Sequence, residues 1–163
     1  MGKGFANAEN TDTIVVKNLD HLGLIAGIVD ELGVVEIVNQ RLGEDPREQI
    51  SGGIAVKAMI LNGLGFASAP LYLFKQFFEG KATEHLLGSG VSCEHLNDDR
   101  LGGVLDGLYL SGITSVFWAL CLSAVKRYGL SRERAHLDAT SMSVTGAYFN
   151  SGRRCRHCGH RAH

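Results

Sequence analysis

The chain has 163 residues, of which 45% are hydrophobic and 20% charged, an ordinary balance for one soluble globular domain, or one domain plus part of another. Its formal net charge of −1 is unevenly spread: residues 1–151 hold 12 Lys+Arg against 17 Asp+Glu, while residues 152–163 hold four arginines and no acid. An acidic body carries no electrostatic footprint for nucleic acid, and the longest apolar stretch, Ile54 to Phe66, is interrupted by Lys57 and Asn62 and falls short of the ~20 residues a membrane span needs.

Cysteine usage divides along the same line. Cys93 and Cys121 are single thiols within the body, and Cys155 and Cys158 lie in the basic tail. The first twelve residues are polar and Gly-rich, unlike an apolar secretory leader. A soluble, cytoplasmic protein without membrane partners is the expectation, because isolated thiols suit a reducing compartment.

In chain order, residues 1–12 are expected to be disordered. Thr13 to Lys17 (TIVVK) is a β-branched run that predicts a short strand. Asp20 is placed to cap a helix running through Leu32, with Leu22, Ile25, Val29 and Leu32 at helical spacing and Gly33 just beyond. A second helix is predicted over Val34 to Leu42, with Val35, Val38 and Leu42 inward and Gly43 as its stop. Residues 44–49 are polar, contain Pro46 and read as a loop.

Ser51 is a good N-cap for a helix over roughly Gly52 to Leu64. Val56, Met59, Ile60 and Leu64 mark one face, but Ala55, Ala58 and Leu61 make it apolar nearly all round, which predicts a central, buried helix. Ser68 and Pro70 open the next helix, which carries Leu71, Phe74, Phe77 and Phe78 and stops at Gly80. Its aromatic stripe is assigned to the core rather than to a partner. A short helix is predicted from Thr83 to Leu87.

Asn97-Asp98-Asp99-Arg100 opens another helix, with Leu101, Val104, Leu105 and Leu108 inward. The adjacent acids are read as first-turn residues favoured by the helix dipole, behind an Asn97 cap, rather than as metal ligands. The last helix spans Ile113 to Tyr128, with Ile113, Val116, Phe117, Leu120, Ala124 and Val125 on its inner face and Gly129 as a left-handed stop. Trp118 falls off this stripe. His21, His85 and His95 have no nucleophile at a recognisable spacing and are read as structural or solvated. The glycine pairs at 52–53 and 102–103 lack the strand and lysine of a phosphate-binding loop.

After Arg134 the periodicity changes to two. Leu137 and Ala139 point one way, and His136, Asp138 and Thr140 the other. A strand aims its carboxylates rigidly, which suits divalent-metal chemistry, but two-metal phosphoryl transfer needs several of them. On residue chemistry alone, Asp138 is a solvated residue at a strand end.

Three segments then carry a resemblance: VKNLDHLGLIAGIVDELG (Val16–Gly33), LNDDRLGGVLDGLY (Leu96–Tyr109) and HLDATSMSVTGAY (His136–Tyr148). Their order is similar to the N-terminal part of bacterial insertion-sequence transposases with a DDE catalytic core, over roughly Thr13 to Asn150. The resemblance implies a mainly α chain: an irregular helical bundle followed by the first strand of an incomplete RNase H-like core. Residues 13–130 would be the helical N-terminal domain and residues 131–150 the start of the catalytic domain. It also implies that Asp138 is the first acidic residue of the DDE set, a ligand for Mg²⁺ or Mn²⁺ in an incomplete site. Transposon-end DNA and full-length transposase would be the partners. The two further acids of that set have no counterpart in these 163 residues, so the fragment is expected to be inactive alone and to hold no cofactor.

After Asn150 the resemblance stops and the sequence becomes SGRRCRHCGHRAH. Cys155-Arg-His-Cys158 has the spacing of one zinc-ribbon knuckle, and His160 and His163 could complete four ligands. Such sites usually draw their second ligand pair from a separate loop. Here every candidate lies in the basic tail, residues 151–163, expected to be unstructured. The abrupt shift in composition points instead to a frameshift or premature junction. The alternative function is a small zinc-binding interaction or regulatory protein using Cys155, Cys158, His160 and His163.

Overall fold

A computed structural model describes residues 16–65 and 69–131. The chain divides into two units, residues 1–131 and residues 132–163, and the described residues all belong to the first. Residues 13–15 of the predicted strand, Ser68, the Asp138 run and the Cys/His tail lie outside the described residues.

The described architecture is helical. Its elements are α1 (Leu22–Glu31), α2 (Val34–Leu42), α3 (Gly52–Gly63), α4 (Phe74–Phe78), α5 (Thr83–Leu87), α6 (Asp98–Ser111) and α7 (Ile113–Tyr128), with single 3₁₀ turns at Leu71–Leu73 and Cys93–His95. No strand occurs among the described residues. Val16 is exposed, and the only sheet-like pairing described is an isolated parallel bridge between Asn18 and Lys81.

Local chemistry sets most boundaries. Gly33, at φ 68, ends α1 and starts α2 by turning the chain through the left-handed region, where a Cβ would be strained. The Ser51 hydroxyl accepts from the Ile54 amide at 3.3 Å, and the Asn97 side chain accepts from the Arg100 amide at 2.8 Å, so both predicted caps form. The Asp20 cap does not. Asp20 sits at φ 49, a left-handed conformation Asp tolerates, and this turn leaves His21 at the N-cap position of α1.

The predicted central helix is central. α3 contacts α1, α2, α5 and α6, and Ala55, Ala58 and Leu61 are fully buried. Small residues let the neighbours in. A Cβ on Gly53 would lie 2.3 Å from the Val35 carbonyl oxygen, so α2 and α3 meet backbone to backbone at that point. Asn39 secures the approach by accepting from the Gly53 amide at 2.7 Å.

The two polar residues that break the apolar stretch are also structural. Lys57, only 4% exposed, reaches the Asp30 carboxylate at 2.6 Å. Asn62 makes paired hydrogen bonds of 2.8 Å with the amide and carbonyl of Ala69, closing the connection that leaves α3. The aromatic stripe joins the core as expected, with Phe74 and Phe78 buried beside Leu22, Leu61, Leu86 and Leu101.

Three inward assignments need correction. Leu64 lies past the end of α3 and is exposed, and Leu105 faces outward from α6. The third is larger. Of the residues expected on the inner face of α7, only Val116 is buried, whereas Ile113 and Phe117 are 57% and 59% exposed. The cause is an 88° bend between α6 and α7 at Gly112, which carries α7 along the edge of the bundle, against α2 and α6. Among the described residues no single helix is long and apolar enough to cross a membrane.

Candidate functional site

The structure fixes how the last helix of the described residues is held to the helical unit and where it ends. Four hydrogen bonds fasten α7 to the bundle. Arg41 donates to the Ser115 hydroxyl at 3.1 Å, and the Ser123 hydroxyl donates to the Leu32 carbonyl at 2.8 Å. At the far end Tyr128 and Arg127 both donate to Glu31, at 2.8 and 3.4 Å. The Tyr128 hydroxyl first, and then the Arg127 guanidinium, hold the Glu31 carboxyl below its usual range. Gly129, at φ 59, then closes the helix.

Asp138, Cys155, Cys158, His160 and His163 lie outside the described residues. Among the described residues no group of three or more His, Cys, Asp or Glu side chains is arranged to hold a metal ion. Asp98 and Asp99 occupy the first turn of α6 behind the Asn97 cap. His21 bonds to the Leu64 carbonyl at 3.1 Å, and His95 accepts from the Ser92 amide at 3.3 Å.

A cavity of about 270 Å³ in the helical unit is lined by Leu42, Glu44, Asp45, Glu48, Arg100 and glycines of α3 and α6. Its acids are already engaged. Glu48 forms a bidentate pair with Arg100, Glu44 accepts from Asn39 at 2.9 Å, and Asp45 is paired with Arg47 at 2.6 Å. The Arg47 side chain, and next its backbone amide, hold the Asp45 carboxyl low. Arg100 also donates to the Ile50 carbonyl at 2.8 Å. The cluster therefore pins the loop between α2 and α3 onto α6, a role that the Asn-Asp-Asp-Arg sequence did not disclose.

Sequence reasoning also missed a surface. Ile113, Phe117, Trp118 and Leu122 stand exposed along α7. The signal was the absence of any charge between Ile113 and Val125, which no single inward stripe can account for.

A family model described as a domain of unknown function, DUF4277, matches residues 14–122, from ahead of α1 into α7. No curated protein and no solved structure matches the chain. With about two-thirds of its length covered by the match, the chain belongs to the DUF4277 family.

Proposed function

We propose that this chain is the N-terminal helical region of an insertion-sequence transposase, together with the first catalytic strand of its DDE core. The observation that carries the proposal is one of extent. The family match at residues 14–122 belongs to a transposase-associated family, and it falls on the segment bearing the first two motifs of the resemblance. The helical unit then ends at Ser131, shortly before the Asp138 run.

On this proposal Asp138 is a ligand for Mg²⁺ or Mn²⁺, and transposon-end DNA is the substrate of the assembled enzyme. One carboxylate does not make a two-metal site, and the described acids offer no cluster to complete it. The residues present do not fit the ions by themselves. Strand cleavage therefore needs two acids from outside these 163 residues.

The test is the DNA following codon 163, read in all three frames. A continuation carrying further strands and two more acids is expected in one of them. No such continuation in any frame overturns the proposal. One tightly held zinc ion, lost in a Cys158→Ser variant, would favour the zinc-binding alternative.

A further inference from the structure

We propose that α7 is a releasable arm: it swings away from α2 about Gly112 as one cooperative unit while α1 to α6 stay folded. The proposal rests on how α7 is held and does not depend on the transposase reading.

The helical unit has two apolar clusters, and α7 contributes to only one of them. The larger gathers Leu22, Leu61, Phe74, Phe78, Leu86 and Leu101 with their neighbours, and no residue of α7 belongs to it. The smaller joins Val29, Val34 and Val38 to Val116 of α7, with Leu120 partly buried beside them. One of the sixteen residues of α7 is buried, against seven of the twelve in α3. Hydrophobic stabilisation follows the apolar area taken from water, so α7 is held far less firmly than α3. Its release leaves the larger core intact.

The remaining attachments are polar. The bonds from Arg41 to Ser115, and from Arg127 and Tyr128 to Glu31, are exposed. The bond from Ser123 to the Leu32 carbonyl is half-buried. Water satisfies the same groups once the helix leaves, so these latches contribute modestly to the closed state.

The pivot is a single residue. Gly112 alone separates the end of α6 from the start of α7, at φ 85 and ψ 92, and the helices meet there at 88°. Glycine crosses between positive and negative φ without a Cβ in the way, and hinges are such positions at the ends of elements. No side chain caps the start of α7, so no capping bond has to break when the arm moves.

Release can be read from the backbone amides. A helix of this length is marginal alone in water, so the amides of α7 lose protection when it leaves α2. A sub-global opening of this kind has its own free energy, below that of global unfolding.

Native-state hydrogen exchange of the full 163-residue chain, followed by NMR at low urea concentrations, is the test. The amides of Phe117 to Tyr128 should share one opening with one urea dependence. They should exchange at least about tenfold faster than those of Ala55 to Leu61 in α3. Ser123→Ala removes the middle latch and should quicken exchange about fivefold, by the same factor at Phe117 as at Tyr128. Gly112→Ala strains the closed backbone and should act as uniformly from the other end. Ser123→Ala carries the test by itself where Gly112→Ala does not fold. In each variant the α3 amides should remain the slower set.

α3 and α7 amides that exchange in one shared event at every urea concentration overturn the proposal, because α7 is then part of a single unit. Rates that climb steadily toward Tyr128, with each substitution acting only on its neighbouring turn, overturn it in favour of fraying from the end.

Discussion

α3 and α7 are both apolar around most of their circumference, yet the bundle encloses one and leaves the other at its edge. Residue size separates them. α3 carries Gly52, Gly53, Ala55 and Ala58, which let α2 and other neighbours approach closely, and these residues are buried. α7 presents Ile113, Phe117, Trp118 and Leu122, whose bulk keeps a neighbour at a distance, and all four are exposed. An uninterrupted apolar pattern says that a helix needs cover. Small residues at the contact points say that the cover lies within the same unit, and large ones leave its source open.

The widest test of this contrast compares one leucine from each helix. Leu61 on α3 is fully buried, so Leu61→Ala should leave a cavity and cost about 2–5 kcal/mol, a large share of a domain's total stability. Leu122 on α7 is 60% exposed. Leu122→Ala should change stability by no more than about 0.5 kcal/mol. Urea unfolding of the two variants measures both. Equal costs would mean that α7 is as enclosed as α3, and the contrast would collapse.

Two glycines sharpen it further. A Cβ on Gly53 would meet the Val35 carbonyl oxygen at 2.3 Å and the Val35 Cα at 2.7 Å. Backbone cannot rotate away as a side chain can, so Gly53→Ala should push α2 and α3 apart and cost about 1–3 kcal/mol. Gly102 lies within α6 with nothing within 4 Å of its Cβ position. There Ala should stabilise the helix by up to about 1 kcal/mol. Thermal unfolding should move the two midpoints in opposite directions, and a neutral Gly53→Ala would show that the α2–α3 approach is not as tight as its geometry.

The same division governs what was legible in the sequence. The bounds of α2 and α7 and the start of α6 follow from stop signals and caps that act within a few residues, such as Gly33, Gly129 and Asn97. The burial of α3 was legible because it is apolar on every side and its small residues sit inside it. The exposure of α7 was not, because the 88° bend at Gly112 is a property of two helices and what lies beside them, and helical periodicity contains no record of it. Asp20 does not cap α1 because it occupies a left-handed turn at φ 49 and His21 takes the N-cap position, a geometry that helical periodicity does not record. For the candidate site the sequence remains the whole basis. Asp138, Cys155, Cys158, His160 and His163 are argued from motif and spacing, and the helical unit bears on them only through the place where α7 ends.

That end supplies the smallest effect and a titratable one. Glu31 on α1 receives Tyr128 and Arg127 from the last turn of α7, and its carboxyl is held below the ordinary value of 4.5, chiefly by the tyrosine hydroxyl. A carboxylate with a depressed folded-state pKa contributes stability above its unfolded pKa, and that contribution is lost as pH falls through the folded one. The tyrosine bounds the contact on the other side. Hydrogen bonding to Glu31 raises the Tyr128 pKa above 10.0, so its share is complete below the unfolded value and disappears as pH rises through the raised one. The anchor of α7 should therefore hold across the neutral range and loosen at both extremes. Tyr128→Phe removes the larger cause, so the Glu31 carboxyl should titrate closer to its ordinary value in an NMR experiment, and amide exchange in the last turn of α7 should quicken at neutral pH. A Glu31 titration unchanged by the substitution would break the link between α7 and α1 and leave Ser123 and Arg41 as the contacts that hold the helix at the edge.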